Sequence, residues 1–343
     1  MEKWRNELNQ NAMSGSELMM TELHRRVDEK LLDNFQIILS RPELHELDET
    51  KFRILWCHDL PEDPQVANFL KDGGWSRFHQ FVFVSVWQCQ RFIERYNIPW
   101  GRCMVLRNAI DPIEVDMEKK WDFSDPEKEI RLVYHTTPHR GLHLLVPAFE
   151  HLVSQYKNLH LDVFSSFQIY GWKQQDERFK ELFDRIEAHD SMTYHGTVPN
   201  NEVRQFLAET AHIFAYPNIW PETSCRSLIE SMASGLMCLH PNYGALFETS
   251  GQFTFMYHYS EDQQTHAGLI HQVMMNSIDL IRENDPALIS KLIGQQIYAN
   301  VNYSWDVRAK EWEGFLQNII ASNPPKEIEH KKPESTFSYQ VDY

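Results

Sequence analysis

Two carboxylates, Glu222 and Glu230, have seven residues between them in the segment WPETSCRSLIESMASGLMCLHPNYGALFE, Trp220 to Glu248. An ionised carboxylate only accepts hydrogen bonds, so it suits hydroxyl groups rather than phosphate. A helix start nearby offers the reverse: unpaired N–H groups and a dipole that favours an anion. Together they suit a ligand carrying both a sugar and a phosphate. Each acid also has a plainer reading, Glu222 as a residue favouring the helix dipole and Glu230 as a solvated surface acid.

The segment itself predicts the element that would position the pair. Pro221 is well placed at a helix entrance, and Thr223 and Ser224 are good N-caps. Leu228, Ile229, Met232, Ala233 and Leu236 recur at helical spacing and predict a core-facing stripe. Ser227, Glu230, Ser231 and Ser234 fall on the other side, small enough for close ligand approach. Gly235 closes the helix, and LMCLH follows as a strand. Glu230 is then expected two turns into a helix whose mouth holds Glu222. If both acids were helical they would stand roughly 12 Å apart along the axis. A retaining hydrolase wants about 5–5.5 Å between its acids, so the two read as binding groups rather than as an acid–nucleophile pair.

Composition narrows the classes further. A chain of 343 residues with 42% hydrophobic content fits two ordered domains. The 49 acidic against 33 basic residues give a formal charge of −16, which excludes a protein built to coat nucleic acid. An anionic ligand would need a local basic site. Five cysteines without a CxxC pair predict neither a disulfide framework nor a structural zinc site, and a reducing cytoplasmic location fits them. The opening MEKWRNELNQ has no apolar signal core, and no run is long enough to span a bilayer. A soluble or peripherally membrane-associated protein is expected.

Strand and helix patterns alternate along the chain. FQIILSR, FRILWCHDL, FVFVSVW and CMVLRNAI read as strands separated by helical stretches, and DPIEVDMEKKWDFSDPEKE reads as a polar linker. A second set follows: strands IRLVYHT, LHLDVFS, MTYHGTV, HIFAYP, LMCLH and FTFMYH, again with helices between. In the first of those helices Pro147 should mark a kink or the true start. Such alternation predicts parallel sheets in βαβ units and therefore an α/β fold of two doubly wound domains, with the ligand beyond the carboxyl ends of the strands. Helices close the chain, and NPPKEIEHKKPESTFSYQVDY reads as a polar tail.

These elements resemble the GT-B retaining glycosyltransferases of family 4 over roughly residues 11–320. The family's E-x7-E signature is matched by Glu222 and Glu230, its strand-then-KG element by YHTTPHRGLHLL with Arg140 and Gly141, and its G-x-V strand end by YHGTVPNNEV. Its PNG-x-D element is matched by RNAID with Asn108 and Asp111, and its first glycine-rich loop by NAMSGSE around Gly15. The resemblance implies two Rossmann-like domains facing a cleft: residues 1–125 as the acceptor domain, 126–303 as the nucleotide-sugar domain, 304–323 as a helix crossing both, and 324–343 as the tail.

The resemblance also implies roles. Glu222 would bond the transferred sugar and Glu230 the ribose hydroxyls. Backbone N–H groups of Thr223, Ser224 and Cys225 would hold the pyrophosphate, with Arg140 as its cation, a task the guanidinium fork suits. His58 would stand near the reacting sugar. Gly15 would let a backbone approach closely, and Gly196 and Tyr216 would complete the donor-binding set. Taken alone, His58 reads as a strand-end histidine, Trp220 as a packing residue, and Arg140 as a surface arginine set against a helix dipole. The chain departs from the family where a second basic residue precedes Arg140; the stretch is Tyr134–Thr137, leaving His135, Lys173 or nothing to complete the phosphate clamp. The usual first strand before the Gly15 loop is also missing or reduced.

The function implied is transfer of a hexose or deoxyhexose from a nucleotide diphosphate sugar, carried on UDP or GDP, to a glycan or glycoconjugate acceptor. No D-x-D triad is present, so no metal and no separate cofactor are expected. The alternative is a catalytically silent nucleotide-sugar-binding subunit or scaffold. A pyridoxal-dependent phosphorylase would need a Schiff-base lysine, for which Lys173 is the one candidate in the motif loops.

Overall fold

The computed structural model describes residues 15–326 and residue 328. The start of the glycine-rich loop, the position of a first strand before it, and most of the polar tail lie outside these residues. The chain forms two compact units, one of residues through Met19 and Asn108–Arg308, the other of Met20–Arg107 with residues from Ala309 onward.

The smaller unit holds four parallel strands in sequence order: β1 Phe35–Leu39, β2 Phe52–Cys57, β3 Gln80–Phe83 and β4 Cys103–Val105. Every residue of β2 is buried, as a parallel strand covered on both faces requires. Asn97 ends the helix Val86–Tyr96 in the left-handed region. The indoles of Trp56 on β2 and Trp312 on the helix Trp305–Ser322 meet edge-on at 4.7 Å within this unit.

The larger unit holds six parallel strands: β5 Ile130–Tyr134, β6 Leu159–Val163, β7 Met192–Tyr194, β8 Ile213–Ala215, β9 Met237–Pro241 and β10 Phe255–Tyr257. Their order across the sheet is β10-β9-β8-β5-β6-β7. The chain builds outward from β5 through β6 and β7, then returns to the other side of β5 for β8, β9 and β10. That reversal makes the boundary between β5 and β8 a topological switch point, where open parallel sheets bind ligands. The helix Leu142–Val153 follows β5 and carries Pro147 inside it, so the proline does not mark its start; Gly141 does.

The polar segment after Ile110 is not a linker. The chain divides between Arg107 and Asn108 rather than near residue 125, and the segment packs into the larger unit. It forms the short helix Met117–Lys120, with Met117, Lys120 and Trp121 buried. The Lys120 ammonium donates to the carbonyls of Leu207, Ala208 and Ser234 at 2.6, 3.3 and 2.8 Å, and Trp121 Nε1 donates to Gly235 O at 3.0 Å. These bonds tie two helix ends to one cation, the favourable sense for a helix dipole. Burial lowers the Lys120 pKa to about 7. A buried acceptor left without its donor costs about 1–3 kcal/mol. Lys120→Met should therefore lower the unfolding free energy by about 3 kcal/mol, read from urea denaturation; a loss within ~0.5 kcal/mol would contradict this anchoring.

Candidate active site

The loops at the carboxyl ends of β5, β6 and β7 and the helix Arg226–Ala233 enclose a cavity of about 360 Å³. The loop after β5 contributes His135 and Thr136, and the loop after β6 contributes Phe164 and Ser166. The turn after β7 contributes Gly196 through Asn200, and the helix contributes Arg226, Ser227 and Glu230. Gly15 and Leu18 close one side.

Behind the β6 and β7 loops lies a buried charge network. Asp162 on β6 takes two bonds from Arg131, Nε at 3.0 Å and Nη2 at 3.1 Å, and one contact with His195 Nε2 at 2.8 Å. Burial alone would raise the Asp162 pKa, but the bonds from His195 and Arg131 outweigh it and hold the carboxyl below its usual value. The His195 ring stacks on Phe164 at 4.1 Å. This network fixes the approach to Gly196, whose φ of +63° turns the chain into the cavity wall. His195 itself does not line the cavity.

Glu222 follows β8 and is buried at 5% exposure. Its carboxylate accepts from the Arg140 guanidinium and from the Tyr216 hydroxyl. Arg140 comes from the turn after β5 and also donates to Tyr170 Oη at 3.4 Å. Burial opposes the charge on Arg140, yet the Glu222 carboxylate more than restores it and holds the pKa well above its ordinary value. Burial, then the same carboxylate, pushes the Tyr216 phenol up. Two glycines make this closeness possible. Gly141 has φ +118°, and a Cβ there would lie 2.0 Å from Pro217 O. Gly244 has φ +62°, and a Cβ there would lie 2.6 Å from both Glu222 N and O. The amide of Ala245 then donates to Glu222 O at 2.7 Å.

The helix that carries Glu230 starts later than the sequence predicts. Its first residue is Arg226, and its N-cap is Cys225 with φ +62° rather than Thr223 or Ser224. Thr223 and Ser224 therefore precede the helix, and of the three amides expected at the pyrophosphate only that of Cys225 belongs to the helix end. Glu230 is the fifth residue of an eight-residue helix, little more than one turn in. The apolar stripe is as expected: Leu228, Ile229, Met232, Ala233 and Leu236 are fully buried. The opposite face is less open than expected, because Ser231 bonds His135 Nε2 at 2.7 Å and Ser234 is buried as well. Glu230 is neither solvated nor alone. Arg226 Nη2 lies 3.1 Å from its Oε1, and Asn200 Nδ2 lies 3.2 and 3.3 Å from its two oxygens.

The remaining sequence candidates fall in different places. Gly15 opens the helix Gly15–Arg26, and among the described residues a Cβ there would meet nothing nearer than Arg226 Cδ at 3.9 Å, so none of them demands a glycine. His135 is buried and its pKa is lowered to about 4 by desolvation, which keeps it neutral at physiological pH. Lys173 is exposed in a 3-10 turn and does not line the cavity. His58 belongs to the smaller unit, at the end of β2, and burial lowers its pKa to about 3. Its backbone N–H donates to Ser40 Oγ at 3.1 Å. Trp220 is 41% exposed and meets His139 edge-on at 5.2 Å, so it does not pack in the core. Asn108 is buried in the larger unit.

Arg226, Asn200, Tyr170 and Gly244 are absent from the sequence-based set. The signal for Arg226 was present: an arginine at a helix start opposes the dipole, the same argument that singled out Arg140.

Comparison with known proteins supports a glycosyltransferase. Residues 115–280 match the family described as glycosyl transferases group 1. No curated protein matches the chain. Among solved structures, sucrose-phosphate synthase from Thermosynechococcus elongatus aligns with a TM-score of 0.63 at 14% identity, over 84% of this chain and 74% of that one. HepE from Anabaena, solved in complex with UDP-glucose, aligns at 0.57 and 15% over 79% and 72%. An α,α-trehalose-phosphate synthase from Burkholderia vietnamiensis aligns at 0.58 and 10% over 80% and 68%. These likenesses establish the GT-B fold.

Two outcomes follow from the geometry. Gly244→Ala should displace the Glu222 backbone and lower stability by about 2 kcal/mol, seen as a reduced Tm; an unchanged Tm would show that the turn yields freely. The folded His135 pKa of about 4 lies below its unfolded value, so its neutral state stabilises the protein above pH 6.5 and that stability is lost as pH falls toward 4. His135 should contribute at most about 1.4 kcal/mol per pH unit to the slope, alongside His58, His139, His212 and His240, whose pKa values are lowered as well, and His135→Gln should remove its share. A slope identical in the variant would remove His135 from the acid response.

Proposed function

We propose that the enzyme transfers a hexose or deoxyhexose from a nucleotide diphosphate sugar to a glycan or glycoconjugate acceptor, with retention of anomeric configuration and without a metal ion. The observation that carries this reading is the Glu222 carboxylate held by Arg140 and Tyr216 at the switch point, on the segment leading into the helix that bears Glu230. Glu230 faces a cavity of nucleoside size, and its carboxylate suits the paired hydroxyls of a ribose. HepE from Anabaena has been solved with UDP-glucose and with UDP, which makes UDP the first carrier to test and GDP the second.

As the bond between sugar carbon and diphosphate oxygen breaks, negative charge grows on the leaving group. The Arg140 guanidinium and the amides at the Cys225–Arg226 helix end supply fixed positive charge there. One guanidinium and the helix-end amides can meet that charge without a metal ion, which supports the metal-independent reading. Glu222 is engaged by two donors and is better placed to accept a sugar hydroxyl than to attack the anomeric carbon. Its hold on the sugar leaves the acceptor to enter on the face the diphosphate leaves, the stereochemistry of retention.

A thermal-shift screen against UDP, GDP and their sugar conjugates should raise the Tm for one carrier, since a ligand specific to the folded state stabilises it. Glu230→Ala should weaken that carrier's binding by about tenfold to a hundredfold. Glu222→Ala should leave carrier binding nearly intact and cut turnover of the sugar conjugate, followed as released nucleoside diphosphate in the presence of EDTA, with the product anomer read by NMR. Equal and negligible effects of both variants, or inversion in the product, would refute the assignment.

A further inference from the structure

The stretch before Arg140, Tyr134–Thr137, holds no lysine or arginine, and neither sequence candidate for a second phosphate cation serves. His135 is neutral and bonded to Ser231, and Lys173 lies away from the cavity. One arginine does face the space. Among the described residues lining the cavity, Arg226 carries the only lysine or arginine side chain. It is the first residue of the helix, its side chain is 17% exposed, and its Nε is buried without a hydrogen-bond partner. Its Nη2 reaches Glu230 Oε1 at 3.1 Å and Asn200 Oδ1 at 3.3 Å.

We propose that Arg226 is a donor-binding residue of this chain that exchanges partners: it neutralises Glu230 while the cavity is empty and turns to the donor's diphosphate when ribose hydroxyls take its place on Glu230. This rests on the donor-site reading above. An arginine beside a helix start is unfavourable unless an anion compensates it. Glu230 supplies that anion in the unliganded protein, and a diphosphate supplies it in the complex. The exchange leaves neither charge without hydrogen-bonding partners in either state, which a buried site requires. A Cβ built on Gly15 would come within 3.9 Å of Arg226 Cδ, so the glycine leaves the arginine stem room to move. In a chain of net charge −16 an anionic ligand depends on such local cations.

The test compares uridine with UDP, and guanosine with GDP, on wild-type enzyme, Arg226→Ala and Arg226→Lys by competition calorimetry. Arg226→Ala should weaken diphosphate binding by about tenfold to a hundredfold and leave the nucleoside unchanged or bound more tightly, because Glu230 is freed. Arg226→Lys should recover part of the loss and guards against a folding defect in the alanine variant. Equal weakening of nucleoside and diphosphate would mean that Arg226 only holds Glu230 in place and would overturn the exchange. So would tight diphosphate binding by the alanine variant. If folded wild-type enzyme bound neither carrier, the donor-site reading would fall first, an outcome distinct from wild-type binding that ignores residue 226.

Discussion

A buried carboxylate must be paired, and the pairing of Glu222 dictates the loops around it. Breaking such a pair by removing one partner costs about 3–5 kcal/mol, so the chain meets a tight geometric demand to keep it. Arg140 reaches Glu222 only because Gly141 lets the turn after β5 pass against Pro217. The loop after β9 is equally committed, with Gly244 pressed on the Glu222 backbone and Ala245 bonded to its carbonyl. Three strand ends, β5, β8 and β9, thus converge on one acid. The parallel order of the sheet brings those ends together, and the ion pair sets their spacing.

The same logic explains why polar residues run through the core of the larger unit. Asp162 holds Arg131 and His195 beneath the cavity wall, and Lys120 holds two helix ends beneath the Glu230 helix. Each charge is satisfied by several partners, the condition under which a buried polar network rigidifies rather than destabilises. The loop bearing Gly196 and the helix bearing Glu230 are therefore fixed from behind by hydrogen bonds rather than by apolar packing alone.

The strands were legible because a parallel sheet covered on both faces reads as continuous apolar runs: eight of the ten among the described residues lie within the stretches that FQIILSR through FTFMYH mark, and β3 and β9 each run one residue beyond theirs, at Gln80 and Pro241. The acid pair was legible from its spacing. The helix start was not, because Pro221, Thr223 and Ser224 carry the usual entrance chemistry, whereas the chain turns at Cys225 in a conformation its sequence does not advertise. The segment around Lys120 was misread for a related reason: polar composition suggests solvent, and only the fold supplies the three carbonyls that let a lysine be buried. Arg226, Asn200 and Glu230 come from two helices far apart in sequence, so their meeting could be read only from coordinates.

Both acids of the pair are thus occupied by arginines before any ligand arrives, Glu222 by Arg140 and Glu230 by Arg226. Under the proposed function this has a thermodynamic consequence. A diphosphate that drew an arginine away would strand a buried carboxylate unless a hydroxyl donor replaced it. A sugar or ribose hydroxyl that took the carboxylate would likewise strand the arginine. Each half of the donor is therefore costly to bind alone, and the two halves assist each other through the exchanged partners, a coupling that pairwise sums do not contain. The intact nucleotide sugar supplies both halves in one molecule. A site wired this way favours the whole donor over its hydrolysis fragments without a dedicated contact for every atom.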